Sequence, residues 1–71
     1  MGKKLMGDRI HMARRARGLT QKELAGLCGF PYQVINRVEQ GHQDLYAQRL
    51  RSIADALATS TDYLLGRTDT P

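Results

Sequence analysis

Four hydrogen-bonding side chains, Tyr32, Gln33, Asn36 and Arg37, fall within two turns of one short segment bounded by Pro31 and Gly41. On a helix, positions i, i+1, i+4 and i+5 share a face. Ile35 and Val38, spaced i, i+3, take another face, with Val34 beside them. The chemistry of such a set is recognition. Gln33 carries a donor and an acceptor side by side, and Arg37 carries a planar fork of N–H donors. Other reactive residue types are sparse. Cys28 sits at an apolar position of its segment, and with only His11 and His42 for company it has no metal-ligand spacing, so core packing is its expected role. Neither histidine has a carboxylate or serine at the spacing of a catalytic pair, and no loop cradles phosphate. No enzyme, cofactor or metal site is expected.

The elements that position this set begin at Thr20. Apolar or small residues at Leu24, Ala25 and Cys28 form the buried stripe of a helix over 21–28. Thr20 stands where an N-cap belongs, and Glu23 three residues later completes a capping box. Gly29 falls where the chain leaves that helix with positive φ, and Pro31 is pre-set for the start of the next, over 31–40, which Gly41 closes. A turn this short makes the two helices cross steeply, with small Ala25 where they meet. A tight crossing that leaves one polar helix face outward has the properties of a helix-turn-helix.

The stretch from Thr20 to Gly41 resembles the lambda-repressor-like, Cro-type helix-turn-helix family. Gln21, Ala25, Gly29, Ile35 and Val38 hold that motif's spacing, preceded by Gly18-Leu19-Thr20 and followed by Glu39-Gln40-Gly41. The likeness runs from Met6-Gly7-Asp8-Arg9-Ile10 to Asp62-Tyr63-Leu64-Leu65-Gly66. It implies an all-α, compact five-helix domain that binds double-stranded DNA, with its third helix in the major groove. By this resemblance Tyr32, Gln33, Asn36 and Arg37 meet base edges, and Gln21 matches the family's phosphate-binding glutamine, with Thr20, Lys22, His42 and Gln43 as further phosphate contacts. Arg14 is implied to pair with Glu39 as a structural ion pair, and is not assigned to DNA. Two departures stand out: Pro31 replaces the usual Ser or Thr cap, and the loop His-Gln-Asp-Leu-Tyr after Gly41 is less basic than is common in the family.

The implied function is a sequence-specific transcriptional regulator, a repressor, of a bacterium, phage or mobile element. One domain of this size covers only about 600–1,000 Å² on DNA. The reading therefore expects a homodimer on a palindromic operator with half-sites about one helical turn apart, and Leu65 and Tyr63 as its dimer contacts. The alternative is an antitoxin or other protein-interaction module, for which the few residues after Gly66 offer little surface.

The rest of the chain fits one 71-residue domain. Met6, Ile10 and Ala13 predict a first helix over 5–17, with residues 1–4 a flexible basic arm. Asp44 is placed to cap a fourth helix over 45–57, whose Ala47, Leu50, Ile53, Ala54 and Leu57 keep helical periodicity. Ser60 is placed to cap a last helix over 61–65, and 67–71 reads as a polar tail. The net charge is +4, and it is uneven: residues 1–43 carry eight Lys/Arg against three Asp/Glu, residues 44–71 three against four. The positive half holds the paired helices, as a polyanion's partner requires. A single cysteine fits a reducing cytosol, and no apolar run is long enough to span a bilayer. A cytoplasmic protein without a small-molecule ligand is expected.

Overall fold

Each apolar stripe predicted above needs a partner to bury it, and in this chain the stripes bury one another. The structure, a computed structural model, describes residues 2–71. Among these residues it contains five α-helices and no strand: α1 (Lys3–Ala16), α2 (Gln21–Cys28), α3 (Tyr32–Glu39), α4 (Ala47–Ala56) and α5 (Thr61–Leu64). α1 packs on α3 and α5, while α2 packs on α3 and α4. Met6 and Ile10 of α1, Leu24 and Ala25 of α2 and Ile35 and Val38 of α3 share one core. Leu50, Ile53 and Ala54 of α4, with Leu57 and Leu64, complete it.

The crossing of α1 over α3 depends on a missing side chain. A Cβ at Gly7 would overlap the Val38 carbonyl oxygen and come within 2.9 Å of that of Glu39. Only glycine lets the backbone of α1 lie against the end of α3 at this distance.

All five helices stop in the same way. After each one a residue with positive φ turns the chain, and the next N–H donates back to a carbonyl of the last turn. These bonds are Leu19 to Arg14, Phe30 to Ala25, His42 to Arg37, Thr59 to Ala54 and Arg67 to Asp62. Glycine supplies the turn after four helices, and Ala58, at φ 54°, supplies it after α4.

Several boundaries differ from those expected. α1 begins at Lys3, not Leu5, because its first turn is held from two sides: Lys4 Nζ donates to Asp8 Oδ1 at 3.0 Å, and the Lys4 backbone packs on Gly41. Gly2, Lys3 and Lys4 are thus helix start rather than arm, and Met1 lies outside the described residues. Pro31 is the extended N-cap of α3 and not its first helical residue, and it makes no side-chain cap bond. Asp44 does not cap α4: its carboxylate accepts from the Leu45 N–H at 2.9 Å, and the helix starts only after Tyr46. Ala47 is consequently exposed.

The 67–71 segment is tied down. Arg9 Nη1 donates to the carbonyls of Tyr63 (2.7 Å) and Thr68 (2.6 Å), and Nη2 donates to Asp69 (2.7 Å).

Candidate nucleic-acid interface

The site is built where α2 meets α3, and its geometry begins with a cap. Thr20 Oγ1 accepts from the Glu23 N–H (3.0 Å), and Glu23 Oε1 accepts from the Thr20 N–H (2.8 Å). Hydrogen bonds to the carboxylate from the Thr20 backbone N–H and then the Thr20 side chain hold the Glu23 carboxyl below its usual value. They fix the first turn of α2, and with it Gln21 and Lys22.

Gln21 is the hub. Its Nε2 donates to Glu39 Oε1 (3.2 Å), and its Oε1 accepts from Asn36 Nδ2 (3.3 Å). Glu39 in turn is gripped by Arg14, whose Nε donates to Oε2 (2.7 Å) and whose Nη2 donates to Oε1 (3.0 Å). Arg14 Nη1 also donates to the Leu19 carbonyl (2.7 Å). Both ionic side chains are more than nine-tenths buried. Burial pushes the Glu39 carboxyl up, but hydrogen bonds from Arg14, His11 and Gln21, with the Arg14 charge, outweigh it and hold the group below its usual value. The carboxylate therefore stays ionised and clamps α1, α2 and the end of α3 together.

Two open grooves flank Gln21. One, of about 600 Å³, is lined by Arg14, Arg15, Thr20, Gln21, Lys22 and Tyr32, among others. The other, of about 520 Å³, is lined by Lys4, Asp8, His11, Gln21, Asn36, Glu39, Gln40 and His42.

Gln33 and Arg37 are exposed on the outer side of α3. Tyr32 is exposed too, with the Lys22 ammonium 5.1 Å from its ring centre, so this pair faces the first groove. Asn36 is half-buried and turned toward Gln21. The structure thus brings Thr20, Gln21, Lys22 and Tyr32 together, and Asn36, Gln21 and His42 together. Gln43 is half-buried and lines neither groove. Val34 packs against the core.

Two residues outside the expected contact set also line the site. His11 Nδ1 lies 2.8 Å from Glu39 Oε1. A signal for it existed, since His11 is three residues before Arg14 and so shares its helix face. Arg15 lines the first groove and takes part in no ion pair among the described residues. Burial pushes the Cys28 thiol up, away from reactivity, and the residue packs against the core. Among the described residues no three His, Cys, Asp or Glu side chains are placed to hold a metal ion, and no helix is long and apolar enough to cross a membrane.

A capped helix, a glycine turn and a second helix that shows a polar face beside a groove lined by Arg15 and Lys22 define a helix-turn-helix domain. Comparison gives the same answer. The sequence model of the helix-turn-helix family matches residues 10–64, and the chain belongs to that family.

It is 34% identical over 67 residues to an uncharacterized HTH-type transcriptional regulator, y4dJ, of Sinorhizobium fredii, covering 94% of this chain and 87% of that one. It is 40% identical over 58 residues to an uncharacterized transcriptional regulator in the ATPase CF(0) region of Rhodospirillum rubrum. That match covers 82% of this chain but only 54% of the relative, so the chain spans about half of that protein's length. Among solved structures, the P22 c2 repressor protein in complex with a synthetic operator superposes with a TM-score of 0.82 at 30% identity, covering 84% of this chain and 91% of that chain.

Proposed function

We propose that this protein is a sequence-specific double-stranded DNA-binding transcriptional regulator, a repressor, with no catalytic activity of its own. α3 enters the major groove, where Gln33 and Arg37 read base edges, with Asn36 and Tyr32 at the margins of that face. Gln21, with Lys22, Thr20, His42 and Gln43, holds the phosphate backbone. The observation that carries this reading is the Gln21 hub. A side chain at the N-terminus of α2 is locked by Glu39 and Asn36, so one N–H of its amide is committed and the other is left for a ligand. The operator-bound state of the similar P22 c2 repressor supports the choice of DNA as that ligand.

Selection from a randomised duplex library, run at two salt concentrations, tests it. Wild type is expected to enrich a palindrome that a Gln33→Ala, Arg37→Ala double variant loses, while salt-sensitive nonspecific binding survives. Arg37→Ala alone is expected to reduce discrimination at one base pair by about 1–3 kcal/mol. Enrichment that persists in the double variant would remove α3 as the reader and favour a protein-interaction module. The palindrome expected from selection would be bound by a homodimer in cytoplasm-like reducing conditions, with Leu65, exposed beyond α5, at its contact beside half-buried Tyr63. Sedimentation showing one copy per operator would exclude that arrangement.

A further inference from the structure

We propose that His11 is a positioning residue for the DNA-reading face, linking proton uptake to duplex binding through Glu39 and Gln21. The proposal rests on the DNA-binding reading above. His11 Nδ1 lies 2.8 Å from Glu39 Oε1 and 3.1 Å from Arg14 Nη2. An ionised carboxylate only accepts and a guanidinium only donates. The stronger, shorter contact therefore sets the tautomer: Nδ1 carries the proton toward Glu39, and Nε2 of this half-exposed ring is left as the basic atom.

Glu39 Oε1 is oversubscribed. His11 approaches it at 2.8 Å, Arg14 at 3.0 Å and Gln21 at 3.2 Å, and a carboxylate oxygen has two lone pairs for these three donors. Gln21 is the weakest claimant. When Nε2 takes a proton, the Nδ1–H bond, already charge-assisted by the ionised carboxylate, becomes an ion pair and tightens on Oε1; the Gln21 amide keeps its Asn36 bond but is freer to turn its N–H groups toward a phosphate. The imidazolium also adds positive charge to the groove that Gln21 and Asn36 line. Both effects act in one direction, and a polyanion binds more tightly as pH falls.

The charged and titratable groups around His11 are Lys4, Asp8 and Arg14 on α1, Glu39 on α3 and His42 on the loop after α3; α2 presents the neutral Gln21. Histidine is the side chain that changes charge between about pH 5 and 8, which makes His42 the necessary control.

The test is fluorescence anisotropy on the full chain at constant salt, with a labelled duplex carrying the selected site, and circular dichroism to establish folding at each pH. For wild type, Kd is expected to fall about three- to tenfold from about pH 8.0 to about pH 5.5. His11→Asn keeps a donor where Nδ1 stands but cannot titrate, and is expected to bind at the higher pH within about twofold of wild type while losing the pH response. His11→Ala, which removes the donor, is expected to bind several-fold more weakly at both pH values, so the asparagine rescues position but not titration. His42→Asn, at a phosphate contact, is expected to bind more weakly at both pH values yet to keep most of the response.

A wild-type affinity that does not change with pH, a response that survives in His11→Asn, or one lost only in His42→Asn overturns the proposal while leaving DNA binding in place. No duplex binding at any pH removes the DNA-binding reading and this inference with it.

Discussion

Glu39 joins three helices with one carboxylate, and that makes its ionisation a stability question. Its hydrogen bonds and the Arg14 charge hold its folded-state pKa below the ordinary value of 4.5, so the stabilisation it provides is present above that value and is lost as pH falls through the lower, folded-state one. Acid titration followed by circular dichroism should show the domain weakening below about pH 4.5, with Glu39→Gln less stable at neutral pH and less sensitive to acid. Glu39→Ala leaves the buried Arg14 guanidinium without its anion, at a cost of about 3–5 kcal/mol, so urea unfolding should show little or no folded baseline in a domain this small. The Arg14–Glu39 pair was legible through family spacing alone. The turn of Asn36 toward Gln21 was not, because helical periodicity assigns a residue to a face but says nothing of a partner on another helix.

At the scale of elements, two glycines with the same helical setting have opposite meanings. Gly7 abuts the carbonyls of Val38 and Glu39, whereas a Cβ at Gly26 of α2 meets nothing within 4 Å. Gly7→Ala should force α1 off α3 and cost about 1–3 kcal/mol. Gly26→Ala should gain about 0.5–1 kcal/mol from helix propensity, and thermal melts of the two variants should move in opposite directions. Ala58 supplies the left-handed turn that glycine supplies after the other helices. Ala58→Gly should relieve that strain and raise Tm by a few degrees, corresponding to about 0.5–1 kcal/mol after the entropy glycine adds to the unfolded chain. The glycine stops at 18, 29, 41 and 66 could be seen in the sequence because each follows an apolar stripe directly. The late start of α4 could not: Asp44 is a good cap by type, and only the folded loop turns its carboxylate onto Leu45.

For the whole molecule, the packing of α1 on α5 and the segment after it matters most. Arg9 stacks 4.4 Å above the Tyr63 ring and binds the carbonyls of Tyr63 and Thr68 and the Asp69 carboxylate. One guanidinium therefore closes the last helix and anchors the segment after it. Arg9→Met should keep the stem packing but release those carbonyls, at about 1–3 kcal/mol, and raise amide exchange at Arg67 through Thr70 above that of the α1 core. The exposed Asp69 end of this contact should contribute little of that cost, so Asp69→Asn should be close to neutral.

The sequence by itself determined the helices, their stops and the outward placement of Gln33 and Arg37, because these depend on 3.6-residue periodicity, caps and backbone φ, all local along the chain. It also identified the helix-turn-helix family, whose motif is a matter of spacing. The tertiary structure decided what meets what over long separations. The His11–Glu39 contact spans 28 residues and the Arg9–Asp69 pair spans 60. No local rule encodes such contacts, since they form only when α1 lies across the end of α3 and beside α5, and that crossing is set by the close approach Gly7 allows and by how the whole core packs.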